Sequence, residues 1–266
     1  MDDTNNTSSQ SHLAIYIRQG GIDTATSGPS GREAASYTVD AAITAPERIL
    51  EEAVYANPWM LGDFTQIDII ADTPRFAACP PQVADSETLA AETARLLWPD
   101  ADTECLKTER CGSFASTISS FDRSLSGFVS RTFPRAALHH RLTALTGFFA
   151  SLSKPVNRIK LYAHFAGSDR LDLIALSSDK LIMANSFECA ADTDALYFIM
   201  AAVKDMGFDQ LDDELIVCGD SRRCSEITDT LRRYINSVMP LLLPAPENEL
   251  APELLFFYKT TAHENN

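Results

Sequence analysis

The side chains best suited to bind a metal ion are the five histidines and six cysteines of the sequence. His139 and His140 are adjacent, and in a strand their side chains would point to opposite faces, so they could not bind one ion together. His164 lies between Ala163 and Phe165 in an apolar run, a setting typical of a hydrogen-bonded core imidazole rather than a catalytic base. We therefore predict no metal site and assign no catalytic residue.

The spacing of the cysteines does not favour a zinc site. Five residues separate Cys105 from Cys111 and Cys218 from Cys224, whereas zinc ligands generally have about two to four residues between them. We interpret all six cysteines as reduced, mostly buried small apolar side chains, as expected in the cytoplasm.

Sequence motifs of the common nucleophile and nucleotide enzymes are missing. The chain contains no Gly-x-Ser-x-Gly and no Gly-x-x-x-x-Gly-Lys-Ser/Thr pattern. Asp169 and Asp172 are expected to lie in and beside a solvated turn, because aspartate favours turns.

The charge of the chain limits its partners. Its 266 residues carry 22 Lys and Arg against 37 Asp and Glu, a net charge of −15, which repels nucleic acid. Residues 1–11 are polar without Lys or Arg, and we predict a disordered tail rather than a secretory signal. The apolar runs are too short for the ~20 residues of a membrane span. We expect a cytoplasmic protein with no membrane span and no nucleic-acid partner.

The elements that would position any site follow the same order in both halves. In the first half we predict a strand at 12–18, a glycine turn, strands at 22–25 and 36–43, a helix at 47–56 and a strand at 67–71. The second half predicts strands at 158–166, 170–176 and 180–187, a helix at 192–206, a strand at 214–218, a helix at 225–235 and a strand at 238–243. This repeat predicts an α/β protein with two lobes, residues 12–155 and 156–266, each a mixed sheet flanked by helices.

The aromatic run FFY at 256–258 is expected to form a last strand or a docking tail.

This duplicated order resembles the actin-like ATPase, or ribonuclease H-like, fold. The run from Leu161 to Ser221, which ends in ELIVCGDS, is similar to the second domain of the pilus-assembly and cell-division members. The chain length, the FPRAALHH segment at 133–140 and the three strands within 160–187 also resemble an uncharacterised bacterial family, a domain of unknown function assigned this fold.

The resemblance implies a nucleotide site that this chain lacks in part. Active members carry an acidic residue on the first strand of each domain, before a glycine hairpin that surrounds the phosphates. Here those strands read IYIRQGG and LYAHFAGSD, with Arg18 or Gln19 at the first position and His164 or Phe165 at the second. Without the carboxylates no ligand holds the magnesium ion of phosphoryl transfer, so we do not expect hydrolysis. A ribonuclease H-type nuclease is disfavoured for the same reason.

Our leading hypothesis is a non-catalytic actin-like scaffold or adaptor that binds another protein and needs no cofactor; a homodimer is left open. The alternative is an ATPase that binds ATP at an atypical site in the interlobe cleft. Its candidate residues are Gly20, Gly21, Gly167, Ser168, Asp169, Gly219 and Ser221. A small-molecule binder at the cleft is a third hypothesis.

Overall fold

The structure is a computed structural model that describes residues 11–28, 31–112, 115–153, 158–178, 180–243 and 250–263. The predicted tail lies outside these residues apart from Ser11. The strands are β1 (His12–Arg18), β2 (Gly21–Gly28), β3 (Gly31–Thr38), β4 (Gln66–Ala71), β5 (Phe76–Cys79), β6 (Leu106–Cys111), β7 (Ala115–Ser120), β8 (Ala136–His140), β9 (Ile159–Ala166), β10 (Arg170–Ser177), β11 (Lys180–Glu188), β12 (Glu214–Gly219) and β13 (Ser237–Pro240). The helices are α1 (Pro46–Ala56), α2 (Glu87–Leu97), α3 (Arg123–Thr132), α4 (Arg141–Leu152), α5 (Asp192–Asp205), α6 (Ser221–Leu231) and α7 (Pro252–His263), with short 3-10 helices at Pro58–Leu61, Pro81–Asp85 and Thr103–Cys105.

Two five-stranded sheets share one topology. The first has the order β3-β2-β1-β4-β8 and the second the order β11-β10-β9-β12-β13. In each, three antiparallel strands are followed by two parallel ones. The predicted duplicated fold with mixed sheets is therefore confirmed. We call the first sheet with α1 and α3 the first lobe, and the second sheet with α5 and α6 the second lobe.

A third sheet is inserted between β4 and β8. Its order is β5-β7-β6, and its small core includes Val83 together with Ala90 and Ala94 of α2.

Helices α4 and α7 lie between the two sheets. Leu145, Phe148 and Phe149 of α4 pack with Tyr162 of the second sheet, whereas Leu254 of α7 packs with first-sheet residues. Eight of the twelve α4 residues are buried, as expected of a helix covered on all sides. The outer faces of the sheets pack against the remaining helices of each lobe.

Several predicted boundaries were wrong. β3 occupies 31–38 rather than 36–43, and α6 begins at Ser221 rather than 225 because the Asp220 side chain accepts the Arg223 N–H at 2.8 Å and caps the helix. The residues at 256–258 belong to helix α7 rather than to a strand, and Phe257 packs against the first sheet. This helix, assigned by sequence to the second lobe, contacts β1, β2 and β4 of the first.

Within the described residues, no helix combines the length and the apolar character that crossing a membrane requires.

Candidate functional site

A cleft of about 730 Å³ separates the lobes. Arg18 and Gln19, at the β1–β2 turn, line it from the first lobe, and the β9–β10 turn at 167–170 lines it from the second. Asp72, directly after β4, and Glu253, in the first turn of α7, complete the polar wall. The ends of the two hairpins therefore line one cavity from opposite sides.

Glycines shape this region at two positions where a side chain would be strained or would clash. Gly167 adopts φ +67° at the β9–β10 turn, a conformation that favours glycine. Gly219 adopts φ +103°, and a Cβ placed there would lie 2.1 Å from the carbonyl oxygen of Phe165. The end of β12 therefore packs directly against the backbone of β9.

The structure brings together only part of the candidate nucleotide site. Gly167, Ser168 and Asp169 line the interlobe cleft. Gly219 and Ser221 line a different cavity of about 500 Å³ beside α6. Gly20 lies in the β1–β2 turn and Gly21 is the first residue of β2, and neither is among the residues that line the two cavities.

Arg223 of α6 holds the β9–β10 turn in place through hydrogen bonds. This side chain is 2 % exposed, and its Nη1 donates to the carbonyl oxygen of Ser168 at 3.0 Å. Its Nη2 donates to the carbonyl oxygen of Cys189 at 3.0 Å, and its guanidinium lies 4.8 Å from the ring centre of Phe165. The turn that lines the cleft is therefore held in place by α6.

The positions at which the resemblance implies carboxylates hold other groups. Arg18, a cation, donates from Nε to Asp23 Oδ1 at 2.9 Å. His164 is 3 % exposed, and its Nδ1 lies 3.0 Å from Asp172 Oδ2. Arg18 and His164 both line the cleft.

Arg141, the first residue of α4, is fully buried between the lobes. Its Nη1 donates to Asp172 Oδ2 at 2.7 Å, and its Nη2 donates to Asp172 Oδ1. Nη1 also lies 3.4 Å from Glu253 Oε1, so α7 joins this pair. Burial would raise the pKa of Asp172, but the charge of Arg141 and the hydrogen bond with His164 hold it well below the ordinary range.

The expectation that Asp172 is a solvated residue beside a turn was therefore wrong, since this side chain is 0 % exposed. Its charge is tolerated in the interior because a guanidinium binds both carboxylate oxygens.

Asp72 extends the network across the cleft. It forms ion pairs with Arg170 of the second lobe and with Arg141 Nε at 3.4 Å, and His140 Nε2 lies 3.3 Å from its Oδ1. Burial opposes the charged form of Asp72, but these partners lower its pKa below the ordinary value. We call Asp72, Arg141, Arg170, Asp172 and Glu253 the interlobe network.

A second buried network connects β1, β4 and β8 of the first sheet. Asp68 accepts from His12 Nε2 at 2.7 Å and from His139 Nε2 at 2.7 Å. His139 Nδ1 contacts Glu109 of the inserted sheet. Burial opposes the charge of His139, but its hydrogen bonds with the two carboxylates raise its pKa to about 9. The side chains of His139 and His140 thus have separate partners, as expected of neighbours that point to opposite faces of a strand.

The cysteines are all free, and four of them are buried. Burial raises the pKa of Cys224 to about 11 and that of Cys111 to about 12, which leaves few thiolates at neutral pH. Among the described residues, no group of three His, Cys, Asp or Glu side chains is arranged to hold a metal ion.

Comparison with known proteins identifies the family of this chain. The model of a family described as "Protein of unknown function (DUF3822)" matches residues 2–238. The chain belongs to the DUF3822 family. No protein of curated function matches it.

Solved structures show the fold of this DUF3822 member. A Bacteroides thetaiotaomicron protein with an actin-like ATPase fold and unknown function is similar with a TM-score of 0.80 and 20% identity, over 97% of this chain and 99% of that one. The PilM–PilN complex of type IV pilus biogenesis matches with a TM-score of 0.66 and 9% identity, over 95% and 98% of the chains. The predicted actin-like fold is confirmed.

The sequence did not reveal the interlobe network. Asp72 follows β4 in a short turn, and Glu253 lies before the aromatic run at 256–258, outside every helix or strand that we predicted. One signal was available: a tight turn at 167–169 places His164 directly opposite Asp172 in the β9–β10 hairpin.

Proposed function

We propose that this protein is a non-catalytic actin-like scaffold or adaptor of the cytoplasm that binds another protein. The observation that carries the proposal is the interlobe network. The ion pair between Arg170 and Asp72 crosses the cleft in which the resemblance implies phosphates and a magnesium ion. Protein side chains thus supply the attraction between lobes that a nucleotide would otherwise supply.

The electrostatics of the cleft support this proposal. A magnesium ion takes carboxylate oxygens that are free to coordinate it. Asp72 instead faces Arg170, Arg141 and His140, and Glu253 faces Arg141. Releasing either carboxylate would leave a buried arginine with less compensation, which is costly.

A structural relative supports the adaptor role. PilM is a protein of the same fold that occurs in a complex with PilN. The fold is therefore compatible with binding a partner protein, and we extend this role to the present chain.

Thermal unfolding with and without millimolar Mg-ATP tests the proposal. A ligand at about 100 times its dissociation constant stabilises a protein by ~2.7 kcal/mol, so binding would give a visible rise in Tm. We expect no rise and no release of phosphate. A rise accompanied by phosphate release would contradict the proposal and establish the ATPase alternative.

One observation supports the alternative function, an ATPase that binds ATP at an atypical site in the interlobe cleft. Gly167, Ser168 and Asp169 line a cleft of about 730 Å³, large enough for a small ligand. If ATP binds there, Arg170→Ala should change its affinity, because Arg170 continues the same turn into the cleft.

A further inference from the structure

Strand β3 forms an open edge of the first sheet. Seven of its eight residues are exposed, and it pairs with β2 in an uninterrupted register from Gly31 to Thr38. Among the strands of the described residues, β2 is its only partner. One long side of a regular strand is therefore left open.

The backbone groups on that open side can be identified. Thr24 Oγ1 of β2 donates to the carbonyl oxygen of Ala35 at 3.2 Å, and Thr26 Oγ1 donates to that of Glu33 at 3.4 Å. The odd-numbered residues of β3 thus direct their backbone groups toward β2. Because directions alternate along a strand, Ala34 and Ser36 direct theirs outward.

Both outer strands of the second large sheet carry features that protect an edge. β13 has four residues and ends at Pro240, and the pairing of β11 with β10 is interrupted at 175–176. Proline, shortness and irregularity each hinder the addition of a further strand. β3 has neither proline nor lysine and has Ala34, Ala35 and Ser36 at its centre.

An aromatic row lies next to this edge. Tyr37 of β3 has its ring centre 6.4 Å from that of Trp59, which lies 6.4 Å from Phe64. Trp59 is 41 % exposed, and Leu61 of the same 3-10 helix is 52 % exposed. The open edge is thus adjacent to an apolar surface that could hold a side chain of an added strand.

The charges around the edge favour one kind of partner. Residues 31–66 contain six acidic and two basic residues, and the whole chain has a net charge of −15. Two copies of the chain would repel one another. They would also pair through alanine and serine side chains, which offer little of the ~1,200–2,000 Å² that a stable interface buries.

We propose that β3 accepts an extended, basic segment of another protein as an additional strand, with an apolar side chain of that segment packed on Trp59. This inference rests on the proposed adaptor function and specifies its partner. Main-chain hydrogen bonds with Ala34 and Ser36 would provide affinity, and the acidic surroundings would select Lys and Arg.

Selection of random linear peptides on the immobilised full chain tests this inference. We expect enrichment of peptides that combine Lys or Arg with β-branched or aromatic residues. Ala34→Pro removes an outward N–H while leaving the β2–β3 hydrogen bonds, so it should weaken the selected peptides at least tenfold. Ala34→Ser retains that N–H and is the matched control, which should bind like the wild type.

A measurement on the wild-type chain keeps the test independent of how Ala34→Pro folds. Adding a selected peptide should slow hydrogen exchange at the Ala34 and Ser36 amides and leave that of β11 unchanged. Failure to enrich basic peptides, equal binding by Ala34→Pro, or protection elsewhere would overturn the inference.

Measuring Tm and phosphate release of the same samples with Mg-ATP distinguishes failure of this inference from failure of the proposed non-catalytic function. A nucleotide-dependent rise in Tm with phosphate release rejects the non-catalytic role and leaves the edge site standing. Loss of peptide binding without any nucleotide effect rejects only the edge site.

Discussion

Arg170 and Asp72 are 98 residues apart in sequence and form an ion pair that joins the β9–β10 turn of the second lobe to the end of β4 in the first. Both side chains are about one-third exposed, at 37% and 35%. Solvent therefore screens the pair, and its role is to fix the separation of the lobes more than to stabilise the fold.

Arg170→Ala should loosen the cleft with little loss of global stability. We expect faster hydrogen exchange in the β9–β10 turn and after β4, and a decrease of about 0.5–1 kcal/mol in the free energy of unfolding. Arg222→Ala, which removes an exposed pair with Glu226 on α6, is the control and should leave exchange in the cleft unchanged. Unchanged exchange in Arg170→Ala would show that the pair does not restrain the lobes.

Breaking the buried pair between Arg141 and Asp172 should be far more damaging. Asp172→Asn preserves the shape of the side chain but leaves Arg141 without its bidentate partner, at a cost of about 3–5 kcal/mol. Urea unfolding measures this loss. A decrease below about 1 kcal/mol would mean that Glu253 and Asp72 suffice to compensate Arg141.

Acid should destabilise the native chain through the same carboxylate. The folded pKa of Asp172 is lowered, so its contribution is present above the unfolded value of about 3.9 and is lost as the pH falls through the folded value. Asp172→Asn should therefore show a shallower loss of stability below pH ~4 than the wild type. Equal slopes would contradict this assignment.

His139 should make the free energy of unfolding decrease as the pH rises from neutral to alkaline values. Its folded pKa of about 9 exceeds the unfolded value of about 6.5. Its contribution, on the order of 3 kcal/mol, is therefore complete below pH ~6.5 and is lost as the pH rises through about 9. His139→Gln should abolish most of this decline in urea unfolding at pH 6, 7.5 and 9. A parallel decline in the variant would assign it to other groups.

Two helical glycines provide a matched test of the packing between α4 and α7. A Cβ at Gly147 would lie 2.6 Å from the ring of Phe256, so Gly147→Ala should destabilise by about 1–3 kcal/mol. A Cβ at Gly127 of α3 would meet only the mobile end of Arg131, at 3.1 Å. Gly127→Ala should therefore be neutral or stabilising by about 0.5–1 kcal/mol. Thermal unfolding distinguishes the two outcomes.

The sequence predicted most of the architecture because its strands and helices have clear hydrophobic periods. The three strands after residue 158 and the helix at 192–206 lie close to their predicted bounds. β3 was misplaced because its central Ala34 and Ala35 carry no alternating pattern, and an edge strand exposed on both faces needs none.

The interlobe network could not be predicted in the same way. Arg141, Asp172 and Glu253 come from three distant segments, and the pairing of Asp172 with His164 in the β9–β10 hairpin does not by itself show that this carboxylate is buried. Their burial follows from the packing of α4 and α7 between the sheets, which is a tertiary property. The turn residues Gly167, Ser168 and Asp169 were locatable because a glycine between two apolar strands indicates a hairpin.

Because α7 packs on the first sheet, its place in the chain determines when that sheet can be covered during synthesis. Leu254 and Phe257 cover the first sheet, and Glu253 reaches Arg141, yet these residues are synthesised more than 100 residues after the last strand of that sheet, which ends at His140. The first sheet therefore keeps part of one face uncovered until residues 252–263 have been made. Truncation before residue 252 would therefore damage the half of the protein that is synthesised first.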